Sequence, residues 1–448
     1  MKKNPPGPLG HYLFGSLRDL QHDPLGLFMN SHKQWGDIVR FRFGPSYCYL
    51  LIHPEYIKQA FQDHSENYCK KTRGYKYLQL GVQDGIFTSE GEVWKKQRQL
   101  AQTAFRSEQV AKMIPKMAEA IQPIVHRWES LTKNQNTIDL HSEMSHLTLT
   151  IVDRTLFRMN WQKEINTIAD AMKFIDHFLA KRTRRLFNVP LCFPINENRS
   201  FLKNIKSLHG IAQDVIEKYR NTSGEEEGLI TMIASGHGLN GQKSHREKSL
   251  REQILTFMVI GHETTAIALT WTFYLIAQHP HVEKKIHAEL DTLPGDKTPS
   301  YEDLLKLKYT EQVLKESLRL FPPAWQLARS SIQEDEIGSY RIAPRTTVVI
   351  SPYVTHRHPD FWGDPEVFRP ERFDPSQEKN IHPFAYLPFG IGPRKCTGQH
   401  FALLESKLAI SLLLSKFKLK LYPHCHVTAN PLLSLPPRDP ITMIISPR

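Results

Sequence analysis

Apolar side chains recur at helical spacing over most of the chain. From about residue 91 to residue 320 they return every three or four positions with few prolines between them, which is typical of amphipathic helices. The prolines of Val189–Pro194 divide this stretch in two. Helical spacing returns from Gly398 to Leu414, so the pattern predicts a helical body over about 90–320 and 398–416.

One early segment has the alternation of a β-hairpin. Apolar and polar residues alternate from Ile38 to Phe43, and Gly44 and Pro45 follow as a turn signal. Tyr47–Ile52 then supplies a second run of aromatic and apolar residues. The pattern predicts two antiparallel strands joined by a tight turn.

Prolines recur between residues 325 and 395, where short β-like stretches such as Thr347–Ile350 appear. Together with the early hairpin, these stretches predict a β-rich portion built from about 35–60 and 325–395. No internal repeat or low-complexity linker separates this portion from the helical body. We expect an α+β fold, mainly α-helical, that forms a single domain over residues 1–448.

The charge balance is basic and the composition is ordinary for a folded protein. Lysine and arginine number 58 and aspartate and glutamate 46, for a net charge of +12, and 40% of the residues are hydrophobic. These values exclude disordered and fibrous chains. Excess positive charge favours an acidic partner or an anionic membrane surface. Nucleic acid is excluded as a partner, because the basic residues are scattered and no recognition motif accompanies them.

Three features bear on the location of the protein. No apolar run reaches the roughly 18 to 20 residues that span a bilayer, so we expect no transmembrane segment. The N-terminal residues lack the apolar run of a signal peptide, and the five cysteines form no disulfide pattern. We therefore expect a monomeric cytoplasmic protein. The basic run Lys181–Arg185 is interpreted as a solvated loop face, with peripheral contact to anionic lipid as the alternative.

The strongest chemical signal in the sequence surrounds Cys396. The segment Pro388–Cys396 places two glycines and a proline in a tight loop, directly before a predicted helix. Free amides at the start of that helix, together with Arg394 and Lys395, favour a thiolate. Such a thiolate is a nucleophile or a soft metal ligand. A zinc site with His400 would lack two ligands, and a merely structural cysteine would not need so particular a loop.

The segment Phe389–Gly398 resembles the haem-binding signature of the haem-thiolate monooxygenases, the cytochrome P450 family. Three further motifs extend the resemblance over essentially the whole chain. The resemblance implies the cytochrome P450 fold, with haem b between an oxygen-activation helix and the cysteine-loop helix. It makes the Cys396 thiolate the axial ligand of the iron, and Phe389 the aromatic residue that packs beside the sulfur and tunes it.

The motif Ile-Gly-His-Glu-Thr-Thr at 260–265 lies in a helix predicted over about Leu250–Gln278. Gly261 costs a helix about 1 kcal/mol relative to alanine, which is reasonable if a planar group must come close. The hydroxyl of Thr264 can bond back to the carbonyl four residues earlier and open the helix. By resemblance, Thr264 steadies dioxygen, and Glu263 with ordered water delivers protons.

Glu316 and Arg319 are three residues apart in a helix predicted over Leu304–Leu320 and can pair on one helix face. If solvated, the pair would contribute only about 0–1 kcal/mol. The resemblance implies instead a buried structural triad with Arg372, in the motif Pro-Glu-Arg-Phe at 370–373.

Trp94 and Arg98 are four residues apart and share one helix face. The resemblance implies that this helix hydrogen-bonds a haem propionate. Arg329 and Arg394 match two other propionate-binding arginines, since a guanidinium group donates to a carboxylate in a bidentate way.

Two positions concern the substrate pocket. Ile260 stands where the family usually has alanine or glycine over the iron, and its branched side chain is expected to restrict the approach of substrate. Phe87 resembles a pocket-wall residue of fatty-acid hydroxylases, with an ordinary core phenylalanine as an equal alternative.

The histidines of the motif His-Arg-His at 356–358 look like a metal cluster. Such pairs are commonly exposed strand residues, so His356 and His358 are given no ligand role.

The resemblance implies a monooxygenase that inserts one atom of O2 into a lipophilic substrate. A fatty acid is the first expectation, and a terpenoid, steroid or carotenoid is the alternative. Two other functions stay open, a peroxide-driven peroxygenase or isomerase and a non-catalytic haem-thiolate sensor. The acid–alcohol pair of Glu263 and Thr264 favours the monooxygenase.

Electrons are expected from a separate ferredoxin, flavodoxin or reductase, because the chain ends too soon after Cys396 for a fused reductase. An acidic partner would dock on basic residues near the thiolate, and these are Lys95, Lys96, Arg394 and Lys395.

Overall fold

Helices form most of the protein. The structure is a computed structural model that describes residues 3–133, 137–221, 243–293 and 298–448. In these ranges the α-helices are α1 Leu17–His22, α2 Pro24–Trp35, α3 Pro54–Lys58, α4 Arg73–Val82, α5 Gly91–Ala104, α6 Ser107–Lys112, α7 Ile114–Leu131, α8 Leu140–Val152, α9 Ile165–Arg184, α10 Asn196–Asn221, α11 Lys243–Gln278, α12 Pro280–Leu290, α13 Tyr301–Lys306, α14 Lys308–Leu320, α15 Pro352–Thr355, α16 Pro375–Glu378 and α17 Gln399–Leu414. The predicted mainly α-helical character of the fold is therefore confirmed.

The strands of the described residues form three sheets. They are β1 Ile38–Phe43, β2 Ser46–Leu51, β3 Tyr68–Cys69, β4 Thr137–Asp139, β5 Leu327–Ser331, β6 Asp335–Ile337, β7 Tyr340–Ile342, β8 Thr347–Ile350, β9 Phe417–Leu421 and β10 Thr442–Pro447. The main sheet has the order β1-β2-β8-β5-β3, a second has β4-β10-β9, and β6 pairs with β7. Only β2 and β8 pair in parallel, Cys48 opposite Thr347, among the strand pairs of the described residues.

The predicted hairpin and the predicted β-stretch are confirmed. Strands β1 and β8 have the predicted bounds, and β2 is displaced by a single residue at each end. The sheet of β4, β9 and β10 was not predicted, since it joins short strands from segments outside the expected β-rich portion.

Two helices differ from their predicted extents. The predicted helix Leu304–Leu320 is broken, because Leu307 leaves helical geometry between α13 and α14. Ser300 caps α13 in a reciprocal capping box with Asp303. The long helix α11 begins at Lys243, one residue after a segment outside the described residues and seven residues before the predicted start.

Helix α11 runs through the main core and positions the site. It packs against α8, α10, α14 and α17. Trp271 stacks on Phe321 with ring centroids 4.0 Å apart, and its indole donates to the carbonyl of Leu435 at 2.8 Å. The stretch Glu247–Gln278 is long and apolar enough to cross a bilayer, but most of it is buried inside the protein. Its apolar character therefore reflects the core that it occupies.

The basic run at the end of α9 corrects a sequence interpretation. Lys181–Arg184 lies in the last turn of α9, so it is not a loop. Arg182 is buried and donates to the side-chain oxygen of Asn198 at 3.1 Å. The sequence shows the charge of these residues but not the chain that folds over them.

The triad of Glu316, Arg319 and Arg372 is present and buried. The guanidinium of Arg319 donates to both carboxylate oxygens of Glu316, at 2.7 and 2.8 Å, and Arg372 donates to the same carboxylate at 3.3 Å. Both Glu316 and Arg319 have no exposed side-chain surface. A buried charge needs such pairing, because desolvation costs several kcal/mol per ion.

His356 connects this triad to the cysteine loop. The amide of Leu387, directly before that loop, donates to Nε2 of His356 at 2.7 Å. The other ring nitrogen therefore carries the proton, and it donates to the carbonyl of Arg319 at 3.0 Å. Burial lowers the pKa of His356 to about 3, so the ring stays neutral. Its role is structural, which agrees with giving it no ligand role.

We predict that Glu316→Gln destabilises the protein by about 3–5 kcal/mol, because two buried guanidinium groups lose their counter-charge. The midpoint of urea unfolding measures this loss. The matched control is Glu334→Gln, which breaks a half-exposed pair with Arg341 and should change the midpoint little. Equal effects of the two substitutions would contradict the structural role of the triad.

Candidate active site

Two adjoining cavities meet at α11. The smaller lies between α11 and the cysteine loop, and Cys396, Gly261 and Phe389 are on its wall. The larger has a volume of about 1,160 Å³ and a mostly apolar lining. Residues on the walls of both include Tyr75, Phe87, Ile260, Thr264, Pro323 and Leu327. A group bound in the smaller cavity therefore faces the contents of the larger one.

The glycines of the cysteine loop allow its turn. Gly390 and Gly392 have φ values of 74° and 67°, a left-handed region in which residues with a side chain are strained. A Cβ atom on Gly392 would also lie 2.1 Å from the carbonyl oxygen of Phe61. The loop closes where the amide of Cys396 donates to the carbonyl of Phe389 at 2.9 Å. The sulfur then stands on the wall of the smaller cavity, at the start of α17.

The groups predicted to favour a Cys396 thiolate are present around the sulfur. The Gly398 amide and the charges of Arg98 and Lys395 do lower the pKa of Cys396, as predicted, but burial raises it by more. The sequence shows the neighbouring charges but not the burial. A metal ion supplies the missing positive charge, since its coordination deprotonates a thiol outright.

Arginines predicted to bind propionates converge on the smaller cavity. Arg394 pairs with Glu90 at 2.9 Å, and its guanidinium lies 3.7 Å from the ring centroid of Trp94. Arg98, one turn further along α5, donates to the carbonyl of Lys395. Arg329 donates to the hydroxyl of Tyr75 at 3.2 Å. All four predicted residues, Trp94, Arg98, Arg329 and Arg394, are on the cavity wall.

Lys70 is a cavity residue that the sequence did not reveal. Its side chain is buried, and the ammonium group donates to the carbonyl of Phe87. Burial and the nearby charges of Arg329 and Arg394 place its pKa well below the usual range, and Glu90 opposes them. No motif marks this lysine in the sequence.

The charges on its wall indicate what the smaller cavity can hold. Four cationic side chains line it, and these are Lys70, Arg98, Arg329 and Arg394. Among the described residues, Glu90 supplies a carboxylate that pairs with one of them, Arg394. Guanidinium and ammonium groups in this excess favour a ligand that carries carboxylates. The sulfur of Cys396 on the same wall suits a soft metal. Both features fit an iron porphyrin with two propionates.

The α11 wall has the predicted local geometry. The hydroxyl of Thr264 donates to the carbonyl of Ile260 at 3.1 Å, and both side chains face both cavities. A Cβ atom on Gly261 would meet only Val152, at an ordinary 3.6 Å, among the described residues. The packing of the protein therefore does not itself require glycine at 261.

Glu263 faces the larger cavity and not the smaller one. Its Oε1 accepts a hydrogen bond from the hydroxyl of Ser434 at 2.8 Å. Burial raises the pKa of the Glu263 carboxyl. A buried acid with a raised pKa can hold a proton near neutral pH and release it, as proton delivery requires.

Comparison with known proteins agrees with this geometry. A model of the cytochrome P450 family matches residues 5–442. The haem domain of cytochrome P450DA has a similar structure, with a TM-score of 0.88 and 27% sequence identity, over 100% of this chain and 98% of that one. The chain belongs to the cytochrome P450 family. Haem b is thus its cofactor, with the thiolate of Cys396 as the iron ligand.

The sequence similarity to two curated proteins also extends over most of each chain. Cyclooctat-9-en-7-ol 5-monooxygenase of Streptomyces melanosporofaciens is 32% identical over 418 residues, which are 93% of this chain and 88% of that protein. Pentalenene oxygenase of Streptomyces avermitilis is 29% identical over 89% of this chain and 88% of its own length. Like these relatives, this cytochrome P450 is a monooxygenase.

One part of the predicted docking face is corrected by the structure. Lys95, Lys96 and Lys395 are exposed, although Lys95 pairs with Glu92 at 2.8 Å. Arg394 is turned inward to Glu90 and is mostly buried, so it does not contribute to an outer surface.

We predict that Lys70→Met weakens haem retention. A hydrogen bond to a charged group contributes about 1.5–3 kcal/mol, so haem transfer to apomyoglobin should be about tenfold faster or more. The haem-free chain should not lose stability, because methionine has no charge to desolvate. Lys71→Met, at the exposed neighbouring residue, is the control. Equal transfer rates in the two variants would contradict a role for Lys70 toward haem.

Proposed function

We propose that this cytochrome P450 hydroxylates a terpenoid. The large, mostly apolar cavity beside the haem site supports this substrate class. It is suited to a bulky hydrocarbon, because apolar contacts require no particular polar groups on the ligand. Two relatives with extended similarity carry terpenoid substrates in their names, cyclooctat-9-en-7-ol and pentalenene.

A fatty acid, the first expectation from the sequence, is the second candidate. Lys71 and Arg73 are exposed residues on the wall of the larger cavity. Arg73 also donates to the carbonyl of Leu186 at 3.2 Å, so part of its donor capacity is occupied. A carboxylate at this end could pair with either cation. The apolar lining accommodates the rest of either ligand.

The proposed roles follow the placement of the residues. Lys70, Arg98, Arg329 and Arg394 bind the propionates, Trp94 packs at this edge, and Phe389 flanks the sulfur. When bound, haem supplies the activation of dioxygen. Thr264 positions a hydrogen bond at the boundary of the two cavities, and Glu263 holds and releases protons beside it. Phe87 and Ile260 form the boundary that the substrate meets.

Electrons come, in this proposal, from a separate acidic redox protein that docks near Lys96 and Lys395. Both lysines are exposed, and Lys395 belongs to the cysteine loop. Lys96 lies on α5, whose Arg98 donates to the carbonyl of Lys395. Complementary charges steer such encounters and make their rate salt-dependent.

We predict that a terpenoid panel gives the stronger response in a substrate screen. Pentalenene, geranylgeraniol, β-carotene and dodecanoic acid are added in turn to the holoenzyme, and displacement of water from the iron is read as a spin-state shift. Products are then identified after addition of NADPH, a surrogate ferredoxin and its reductase. Turnover of dodecanoic acid alone would overturn the terpenoid proposal in favour of the fatty acid. Product formed from peroxide but never from the reductant would favour a peroxygenase, and no product a sensor.

We predict that Ile260→Ala changes the distribution of products. Removing the branched side chain opens the boundary of the two cavities, so a substrate can approach in more than one orientation. Chromatography with mass spectrometry measures the product mixture. The control is Val259→Ala, a neighbour that lines the larger cavity but not the smaller, which should change the spectral affinity more than the products. An unchanged mixture in Ile260→Ala would refute the crowding hypothesis.

A further inference from the structure

A second carboxyl group, Asp176, lies on the wall of the larger cavity together with Glu263. Asp176 belongs to α9 and is buried, and Glu263 belongs to α11. The roles proposed above use Glu263 but leave this buried acid without any function. Buried carboxyl groups are costly, and their position beside a reaction site indicates a use.

A short segment near the C-terminus joins the two acids. The hydroxyl of Ser434 donates to Glu263 at 2.8 Å, and the backbone of the preceding Leu433 lowers the pKa of Asp176. Arg184, two turns along α9 from Asp176, donates to the carbonyls of Pro431 and Leu432. The segment 431–434 therefore holds a residue of α9 and a residue of α11 within one polar cluster.

The electrostatics of the cluster favour the protonated form of both acids. Burial and the charge of Glu263 raise the pKa of Asp176 well above its usual range, against the opposing effects of the Leu433 amide and Arg184. Two neighbouring carboxyl groups in a low-dielectric site do not both ionise readily. Ionisation of one acid therefore disfavours ionisation of the other.

We propose that Asp176 is a second acid that resupplies Glu263 with protons during turnover. This inference rests on the proton-delivering role proposed for Glu263. Insertion of one oxygen atom of O2 into a C–H bond consumes two protons and two electrons and releases one water molecule. The electrons come from the redox partner, so the residues of this cluster have to move protons only.

The relay balances as a chain of acid–base transfers. Glu263 breaks its O–H bond when it delivers a proton and becomes a carboxylate. Asp176 then gives its own proton to that carboxylate, so one O–H bond breaks and another forms. The Leu433 amide and the positive charge of Arg184 stabilise the Asp176 carboxylate until solvent reprotonates it.

The test compares Asp176→Asn with Asp176→Glu. Asparagine has the shape and neutrality of the protonated acid but cannot release a proton, so a purely structural role survives this change. Glutamate keeps the acid. The control is Asp170→Asn, an exposed residue on the same helix. Thiolate ligation in each holoenzyme is checked by its carbon-monoxide difference spectrum.

The first readout does not depend on activity. Infrared spectra of the substrate-free holoenzymes at neutral pH show the carbonyl stretch of protonated carboxyl groups, which shifts in D2O. We expect Asp176→Asn to remove one such band and Asp170→Asn to remove none. A spectrum unchanged by Asp176→Asn would mean that Asp176 is ionised and has no proton to give, and would overturn the proposal.

The second readout is coupling, with the terpenoid of largest response in the screen. We expect Asp176→Asn to lower product formed per NADPH by about tenfold, below the 10²–10⁴-fold typical of a direct proton donor. Its solvent isotope effect should rise, and Asp176→Glu should restore both. Normal coupling in Asp176→Asn, or equal losses in the Asn and Glu variants, would overturn the relay. Normal coupling in Glu263→Gln would instead show that the role proposed for Glu263 is wrong.

Discussion

Positive charge around the smaller cavity is the constraint on which the rest of this structure depends. Lys70, Arg98, Arg329 and Arg394 converge there, and Glu90 offsets part of their charge. Lys70 and Arg329 are buried, and burying a cation that lacks a counter-charge costs several kcal/mol. In the roles proposed above, the propionates of haem supply that counter-charge, so cofactor binding and folding stability are coupled.

The scaffold behind the sulfur is polar because it has to fix the direction of the cysteine loop. The ion pair of Glu316 and Arg319 is linked through His356 to Leu387, where the cysteine loop begins. An apolar core would pack equally well, but it would not fix the direction of a loop backbone. Hydrogen bonds from a buried and neutral histidine do so, because each ring nitrogen accepts or donates in a single direction. Through His356 and Leu387, the triad thus fixes the start of the loop that carries Cys396.

The sequence predicted elements and motifs that are local, and failed where distant segments decide the outcome. Alternation was enough for Thr347–Ile350, and a contiguous motif was enough to find Cys396. The break at Leu307 carries no proline or glycine, so spacing alone could not reveal it. Lys70 and Asp176 belong to no motif, and the fold alone brings them to the cavities.

The residues of one turn of α11 line the two cavities differently. Ile260 and Thr264 are four residues apart, share a face and reach both cavities, whereas Glu263 reaches only the larger of the two. Glu263, the proposed proton donor, therefore lines the larger cavity and not the cavity that Cys396 lines. A substrate that fills the larger cavity also covers the acids and excludes bulk water from them. Substrate shape then governs coupling as well as regiochemistry, because a poorly fitting ligand leaves water beside the proton source.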